Sequence, residues 1–291
     1  MNLIARIFRL RHYLWYFISI GKINAYLSRA AVTSQLRSVD LTNPRTWEFS
    51  GFSQNGEDGI VDVLLSQILK KSKYSIEIGS NNGIDNCTAW LCIAKRYQSL
   101  MIEANSNNAF RAKYILDHFQ GYHSVLNELI TPKNINILQK YLYMRELDVF
   151  SIDIDSIDYY VAKAFLELGF EPKIIIAEYN SVFGPEMSLT VEYEEDFFVK
   201  RNSNKKHMYY WGVSLTGWKN LFKKYGYIFV TVDSCGVNSF FIKSKFFNDV
   251  FVENLKPNIE FIENFSTVWY SQKDWIGQFE EIKNLKFNYI T

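Results

Sequence analysis

The stretch that decides the fold is Tyr-Ser-Ile-Glu-Ile-Gly-Ser-Asn-Asn-Gly (74–83), followed after a helical stretch to Tyr97 by Ser-Leu-Met-Ile-Glu-Ala-Asn (99–105). Two short apolar runs here flank a glycine turn and a helix, which is typical of a strand–turn–helix–strand unit. Further strand-like runs at 122–130, 148–154 and 173–179 alternate with helical segments. This alternation predicts an α/β fold, a doubly wound sheet with helices on both faces.

The chain outside this pattern divides into two extensions. Asn-Pro-Arg (43–45) marks a boundary, so we expect a basic and aromatic helical extension over residues 1–45 and a main domain over 46–243. A helix over 214–225 and an antiparallel strand pair at 226–232 and 238–242 are expected to close the main domain. Residues 244–291 are expected to cover the core or to form a dimer face.

The glycine turn carries the main indication of a ligand. Gly79 and Gly83 permit a tight turn and a close approach of a ligand to the backbone. Glu103 ends the next strand, where an acid in such folds accepts hydrogen bonds from ribose hydroxyls. The loop lacks the G-x-G-x-x-G pattern of dinucleotide sites, and Glu77 at its head would repel a pyrophosphate but attract the ammonium and sulfonium groups of S-adenosylmethionine. The sequence therefore favours S-adenosylmethionine over NAD, the alternative being an ordinary turn without a ligand.

Five short motifs, taken in order, resemble the FkbM-type class I methyltransferases over roughly residues 50 to 243. They are Ser-Gln-Asn-Gly-Glu-Asp (53–58), Glu-Ile-Gly (77–79) with Asn-Gly (82–83), Met-Ile-Glu-Ala-Asn (101–105), Ser-Ile-Asp-Ile-Asp (151–155) and Ile-Ala-Glu-Tyr-Asn (176–180). The resemblance implies a Rossmann-like seven-stranded domain, S-adenosylmethionine as methyl donor and often a hydroxyl acceptor on a sugar or natural product. Many relatives carry Asp-Val-Glu-Gly after the fourth strand, whereas this chain has Asp-Ile-Asp-Ser (153–156).

The predicted donor site combines strand-end positions with the resemblance, which places the loop of Gln54 over the donor. Asn127 and Glu128 are candidates for the adenine edge. The predicted donor-binding residues are Gln54, Glu77, Gly79, Ser80, Asn82, Gly83, Glu103, Ala104, Asn127 and Asp153.

Polar side chains follow two neighbouring strands and are candidates for the chemistry. Asp153 and Asp155 end one strand, and Glu178 and Asn180 end the next, so they are expected to converge beside the transferred methyl group. Either Asp155 acts as general base, or the four side chains bind Mg²⁺ or Mn²⁺, which lowers the pKa of the acceptor. A third interpretation is that Asp155 or Ser156 only caps the following helix.

A polar insertion after the fifth strand is a candidate for acceptor binding. His207 is predicted to be a base or a contact for an acceptor phosphate, the alternative being an ordinary surface histidine. Its neighbours would attract the diphosphate of a nucleotide sugar or stack on its rings. These are Lys200, Arg201, Lys205, Lys206, Tyr209, Tyr210 and Trp211.

Composition limits the partners and the compartment. The net charge of +1 gives no global field to recruit a nucleic acid polymer. Three cysteines, at 87, 92 and 235, form no paired framework, which favours a reducing cytoplasm. The apolar run at 14–20 is far shorter than the roughly 20 residues of a membrane span. The basic segment 1–37 is therefore expected to pack on the main domain or a second subunit, with a peripheral membrane contact as the alternative.

Together these features predict an S-adenosylmethionine-dependent O-methyltransferase of a sugar or nucleotide-linked sugar, of the kind used in surface polysaccharide assembly. The acceptor class comes from the resemblance alone. The alternatives are N-methylation of an amino sugar or small amine, and a protein that binds the donor without turnover.

Overall fold

A computed structural model describes residues 3–119, 123–142, 146–203, 206–256 and 261–291. Tyr122, at the start of the predicted third strand, and Lys205 of the polar insertion lie outside the described residues. The described strands are β1 Tyr74–Ile78, β2 Gln98–Glu103, β3 His123–Asn127, β4 Val149–Ile152, β5 Ile174–Glu178, β6 Leu189–Val191, β7 Ile228–Val232, β8 Asn238–Ile242 and β9 Phe287–Tyr289.

Seven of these strands form one sheet in the order β3-β2-β1-β4-β5-β8-β7. The strands from β3 to β5 pair in parallel, and β8 runs antiparallel to both β5 and β7. The sheet order changes direction between β1 and β4, so the carboxyl ends of these two strands border a crevice where ligands bind in such folds. The predicted Rossmann-like seven-stranded sheet is confirmed.

Helices cover both faces of the sheet, because the strand side chains alternate between two apolar cores. On β4, Phe150 packs in the core that contains Phe165 and Trp218, whereas Val149 packs in the core that contains Leu64. The described helices are α1 Leu3–Leu36, α2 Glu57–Ser66, α3 Ala89–Ile93, α4 Ser106–Leu116, α5 Gln139–Leu142, α6 Asp158–Glu167, α7 Phe197–Asn202, α8 Leu215–Lys224, α9 Asp249–Asn254, α10 Phe265–Ser271 and α11 Trp275–Glu280.

Two helices differ from the sequence prediction. The helical stretch expected to run to Tyr97 is only the short α3, since the residues before it form a loop bound to a buried acid described below. The helical segment expected between the strand-like runs at 122–130 and 148–154 is also short, and consists of a 3-10 turn over Ile135–Leu138 followed by α5.

Helix α1 packs on the main domain, as one of the two sequence interpretations expected. Ile23 and Ala30 on one side of α1 are almost fully buried, and Ile23 packs with Phe52 and Ile115 of the main domain. Arg29 donates hydrogen bonds from its guanidinium to two backbone carbonyls in the segment 51–53. Within the described residues, no helix combines the length and the apolar character needed to cross a membrane.

The C-terminal extension covers the core. Strand β9 pairs antiparallel with β6, and Ile282 and Ile290 are buried in the same core as the helices α6 and α8. The alternative role as a dimer face stays a prediction.

A glycine at the end of β1 fixes the approach of two central strands. Gly79 has a φ of +94°, and a Cβ atom added there would lie 1.6 Å from the carbonyl oxygen of Asp153 at the end of β4. The sequence interpretation assigned Gly79 to ligand approach, whereas here the close approach is to the neighbouring strand.

We expect Gly79→Ala to lower the free energy of unfolding by more than about 3 kcal/mol, because the new methyl group meets backbone that cannot move aside. Gly169→Ala is the matched control, since Gly169 has a φ of +86° but nothing within 4 Å of the added Cβ. The control should cost only about 1–2 kcal/mol, the penalty of the left-handed backbone alone. Urea unfolding measures both, and equal losses would contradict the clash.

We expect deletion of residues 1–37 to destabilise the fold strongly, because it exposes the core around Phe52 and Ile115 that Ile23 covers. Deletion of residues 1–13 leaves Ile23 and its packing against Phe52 and Ile115 in place and should lower the melting temperature much less. Thermal unfolding followed by circular dichroism distinguishes the two. An unchanged melting temperature for the longer deletion would show that α1 is a detachable extension.

Candidate active site

Two adjoining pockets open at the carboxyl ends of the central strands. The larger has a volume of about 300 Å³ and lies between the ends of β1, β2 and β4. The smaller, of about 250 Å³, lies between the loop 53–57, the loop 85–87 and the ends of β4 and β5. Asp153 lines both pockets, so the two spaces meet at the end of β4.

Glu103 is fixed at the edge of the larger pocket by backbone groups. Its Oε2 accepts a hydrogen bond from the Asn81 N–H at 2.8 Å, and its Oε1 accepts one from the Asn105 N–H at 2.7 Å. Burial raises the pKa of Glu103 above its usual value, although these backbone N–H groups oppose the rise. Each carboxylate oxygen has a second lone pair, so Glu103 retains acceptor capacity toward the pocket that it lines.

The predicted donor-binding residues separate into two groups. Five of them line a pocket: Gly79, Glu103 and Ala104 the larger one, Gln54 the smaller one and Asp153 both. The other five are absent from the described linings of these two pockets. They are Glu77, Ser80, Asn82, Gly83 and Asn127.

Glu77 is turned into the protein and bound to a loop. Its carboxylate accepts hydrogen bonds from the N–H groups of Cys87 and Thr88 and from the Thr88 hydroxyl, the last at 2.5 Å. Burial raises the pKa of Glu77 to about 7. The interpretation that Glu77 contacts the cationic end of the donor is therefore not supported by its position. Instead, Glu77 holds the loop that forms one wall of the smaller pocket.

The other four residues outside the pockets also have structural partners or buried positions. Asn82 accepts hydrogen bonds from two N–H groups of its own turn, and a Cβ at Gly83 would meet Ala112 of α4. Asn127 donates from its side chain to the carbonyls of Glu103 and Ala104, and Ser80 is fully buried. Of the two residues predicted to border the adenine, Glu128 lines the larger pocket, together with residues 129–130, and Asn127 is absent from its described lining.

The smaller pocket is acidic. Four acids contribute to its wall, and its described lining contains no lysine or arginine; the acids are Glu57, Asp85, Asp153 and Glu178. Two of them have partners nearby. Asp85 accepts hydrogen bonds from Lys22 at 2.5 Å and Tyr26 at 2.6 Å, both on α1. Glu57 accepts hydrogen bonds from the side-chain amides of Asn55 and Asn238.

Asp153 and Glu178 form a carboxyl pair at the meeting point of the pockets. The two carboxyl groups are near enough that each acts on the pKa of the other. Burial and the neighbouring charges raise the pKa of both groups, that of Asp153 to about 8. In the part of the chain that the structure describes, no donor reaches the buried Oε2 of Glu178. Both residues line the smaller pocket, so the ionised form of the pair can take up a proton from a ligand there.

The remaining two members of the predicted metal site are engaged elsewhere. Asp155 is half exposed and accepts a hydrogen bond from Arg201 at 3.0 Å. Asn180 accepts from the Val182 N–H and donates to the carbonyls of Tyr209 and Trp211. Among the described residues, no group of three or more His, Cys, Asp or Glu side chains is arranged to hold a metal ion. The geometry thus gives the Mg²⁺ or Mn²⁺ prediction no support.

The helix after β4 is held by a different acid from the one predicted. Asp158 accepts hydrogen bonds from the N–H groups of Ile154 and Ser156, at 2.9 and 2.8 Å. The residue before α6 is Ile157, which makes no side-chain capping bond. The interpretation that Asp155 or Ser156 caps this helix is therefore wrong, because Asp158 supplies the carboxylate from within the first turn.

The polar insertion lies mostly away from the pockets. The Nε2 atom of His207 is 3.3 Å from a carboxylate oxygen of Glu281 in the C-terminal extension, and His207 is not among the described residues of either lining. Tyr209 and Tyr210 are buried in the core and are not available for stacking. Lys200 and Lys206 pair with Glu194, whereas Arg201 does line the larger pocket. The predicted catalytic role of His207 has no geometric support.

Sequence reasoning missed Asn81 and Asp85, which line the larger and the smaller pocket respectively. Both lie in the loop after β1 from which Asn82 and Gly83 were chosen, so the segment was identified but not the side chains that face the pockets.

No model of a known protein family matches this chain, and no curated protein matches it. Solved structures with a similar fold include a putative O-methyltransferase from Klebsiella pneumoniae, with 15% identity, a TM-score of 0.39 and coverage of 74% of this chain and 94% of that one. A TDP-rhamnose 3'-O-methyltransferase of calicheamicin biosynthesis matches with 17% identity, a TM-score of 0.32 and coverage of 40% and 60%. The small RNA methyltransferase HEN1 matches with 15% identity and a TM-score of 0.37 over 63% of this chain. This chain spans only 25% of the length of HEN1.

Proposed function

We propose that this protein is an S-adenosylmethionine-dependent methyltransferase of the FkbM type. The observation that carries the proposal is the pairing of Glu103, at the edge of a pocket after β2, with an adjoining acidic pocket that has no basic residue in its described lining. S-adenosylmethionine has a ribose for the first pocket and two cationic groups for the second. The pyrophosphate of NAD would meet four acids and no lysine or arginine in the described lining of that pocket.

The pocket residues take the following roles in this proposal. Glu103 accepts hydrogen bonds from the ribose hydroxyls, and the residues 128–130 border the adenine. Gln54 and Asp85 border the amino-acid end of the donor in the smaller pocket. Asp153, which lines both pockets, lies beside the sulfonium and its methyl group.

The Asp153–Glu178 pair supplies the base. As the acceptor oxygen bonds to the methyl carbon, the bond from that carbon to sulfur breaks and leaves neutral S-adenosylhomocysteine. The proton of the acceptor hydroxyl passes to the ionised form of the carboxyl pair. We assign this role to the pair and not to Asp155, because Asp155 is bound to Arg201 at the wall of the larger pocket. Mg²⁺ or Mn²⁺ is not part of the proposal, because Asp155 and Asn180 are already engaged.

The acceptor proposed from the motif series is a hydroxyl group of a sugar or nucleotide-linked sugar, as in surface polysaccharide assembly. Arg201 is the basic side chain in the described lining of the larger pocket, and the N–H groups that it does not use for Asp155 can donate to a phosphate of such an acceptor. A second candidate is an amine, as in an amino sugar. The acidity of the smaller pocket favours it, since carboxylates stabilise an ammonium group.

We expect S-adenosylhomocysteine to bind the purified protein and Glu103→Gln to weaken that binding by about 1–3 kcal/mol, roughly 5- to 150-fold, because one charged acceptor is lost. Isothermal titration calorimetry measures both affinities, with and without Mg²⁺. Glu167→Gln is the matched control, since Glu167 lies on the surface of α6 and pairs only with Lys163 among the described residues. If the unaltered protein does not bind S-adenosylhomocysteine, the methyltransferase proposal is refuted. If the unaltered protein and Glu103→Gln bind it with equal affinity, Glu103 does not bind the ribose.

We expect turnover with a hydroxyl acceptor to rise as the pH increases through about 8, because the base must be ionised and the pKa of its Asp153 member is raised to about 8. Glu178→Gln should lower kcat by about 10² to 10⁴ and abolish this rise while S-adenosylhomocysteine affinity stays unchanged. Asp155→Asn should keep the rate but move this rise to lower pH, because the charge of Asp155 contributes to the raised pKa of both carboxyl groups of the pair. If Asp155→Asn loses turnover and Glu178→Gln keeps it, Asp155 is the base. Donor binding without transfer to any hydroxyl or amine acceptor would favour a non-catalytic protein.

A further inference from the structure

Helix α1 presents two unlike sides. One side packs on α4 and the neighbouring core: the rings of Tyr16 and Tyr114 are 5.6 Å apart, and Ile23 is 2% exposed. On another side Leu14, Phe17 and Ile18 are 62, 69 and 61% exposed. Three large apolar side chains within five residues therefore face solvent on a helix that is otherwise anchored to the domain.

The sequence extends this exposed side toward the N-terminus. Apolar residues recur at positions 3, 7, 10, 14 and 17, a spacing of four and three that places them along one side of a helix. Beyond Ile18 the same side continues with Gly21, Asn24 and Ser28. The apolar stripe, residues 3–18, thus occupies the first half of α1. The same side is polar at Asn24 and Ser28 and carries exposed apolar side chains again at Val32 and Leu36, which are 57 and 80% exposed.

The charge of this segment is of one sign. The sequence has no acidic residue before Asp40. Of its basic residues, Lys22, Arg29 and Arg37 bond to groups in the main domain. The other three precede the exposed apolar side chains in the sequence; they are Arg6, Arg9 and Arg11. By helical spacing, positions 6 and 11 fall at the two margins of the apolar stripe.

We propose that the apolar stripe of α1 binds the surface of an anionic lipid membrane. The helix would lie in the plane of the membrane, with Leu14, Phe17 and Ile18 in the boundary between headgroups and acyl chains and the arginines on lipid phosphates. A second copy of the same stripe is a poorer partner. It would bring arginines against arginines, and the segment has no acid to pair with them. This docking is independent of donor binding and of methyl transfer.

The test is flotation of the full-length protein with lipid vesicles in the absence of donor. Vesicles of phosphatidylcholine with phosphatidylglycerol are compared with vesicles of phosphatidylcholine alone, at low and at high salt. We expect at least about tenfold more bound protein on the anionic vesicles, and a decrease at high salt as the arginine–phosphate attraction is screened. No binding, or equal binding to both vesicle types, would overturn the proposal.

Two matched variants separate the stripe from the rest of α1. The triple variant Leu14→Glu, Phe17→Glu, Ile18→Glu should lose vesicle binding. The control variant Asn24→Glu, Ser28→Glu, Gln35→Glu adds the same charge at exposed positions of the same helix. It should retain most of the vesicle binding of the unaltered protein. All six positions are exposed, so both variants should keep the melting temperature of the unaltered protein. Equal binding by the two variants would overturn the proposal.

Light scattering after size-exclusion chromatography tests whether the stripe binds a second copy of the protein instead of a membrane. If the unaltered protein is a dimer that the stripe variant converts to a monomer, and neither binds vesicles, the stripe is a contact between copies and the membrane proposal fails. Replacing Arg6, Arg9 and Arg11 with glutamine should remove the preference for anionic vesicles. An unchanged preference would also contradict the proposal.

Discussion

Buried carboxylates that accept hydrogen bonds from backbone N–H groups hold the loops at the carboxyl end of the sheet, and both pockets depend on them. Asp58 accepts from three consecutive N–H groups in the segment 51–53, and Glu77 accepts from two in the loop 87–88. Glu103 and Asp158 do the same for the loops after β1, β2 and β4. Loops lack the repeating partners of helices and strands, so their N–H groups need such acceptors when they are buried.

The Asp153–Glu178 pair is distinguished from these loop-holding acids by its partners. Each carboxyl group of the pair acts on the pKa of the other, and the Oε2 of Glu178 receives no donor in the described part of the chain. Burial raises the pKa of the loop-holding acids Asp58 and Glu77 as well, but in the pair the charges of neighbouring carboxyl groups add to the effect of burial. A raised pKa makes the ionised form a stronger proton acceptor, which suits the role of general base proposed for the pair.

Helix α1 connects the pocket walls to a surface feature. Lys22 and Tyr26 bond to Asp85, and Arg29 bonds to carbonyls in the segment 51–53, so the two loops that border the smaller pocket both rest on this helix. A different side of the same helix carries the exposed apolar stripe. The helix is therefore part of the folded domain and also the element that we propose meets the membrane.

The sequence by itself determined the sheet, its crossing helices and the position of Glu103 at the end of β2. Strands that are buried on both faces appear as continuous apolar runs, and parallel strands require the helices between them, so local patterns were sufficient. Only the tertiary structure decided which acids serve the loops and which face the pockets. Glu77 and Asp153 both belong to strand-end motifs, yet Glu77 turns to the N–H groups of 87–88 and Asp153 to a neighbouring carboxyl. That choice depends on where distant loops place their N–H groups, and residue spacing along the chain does not contain this information.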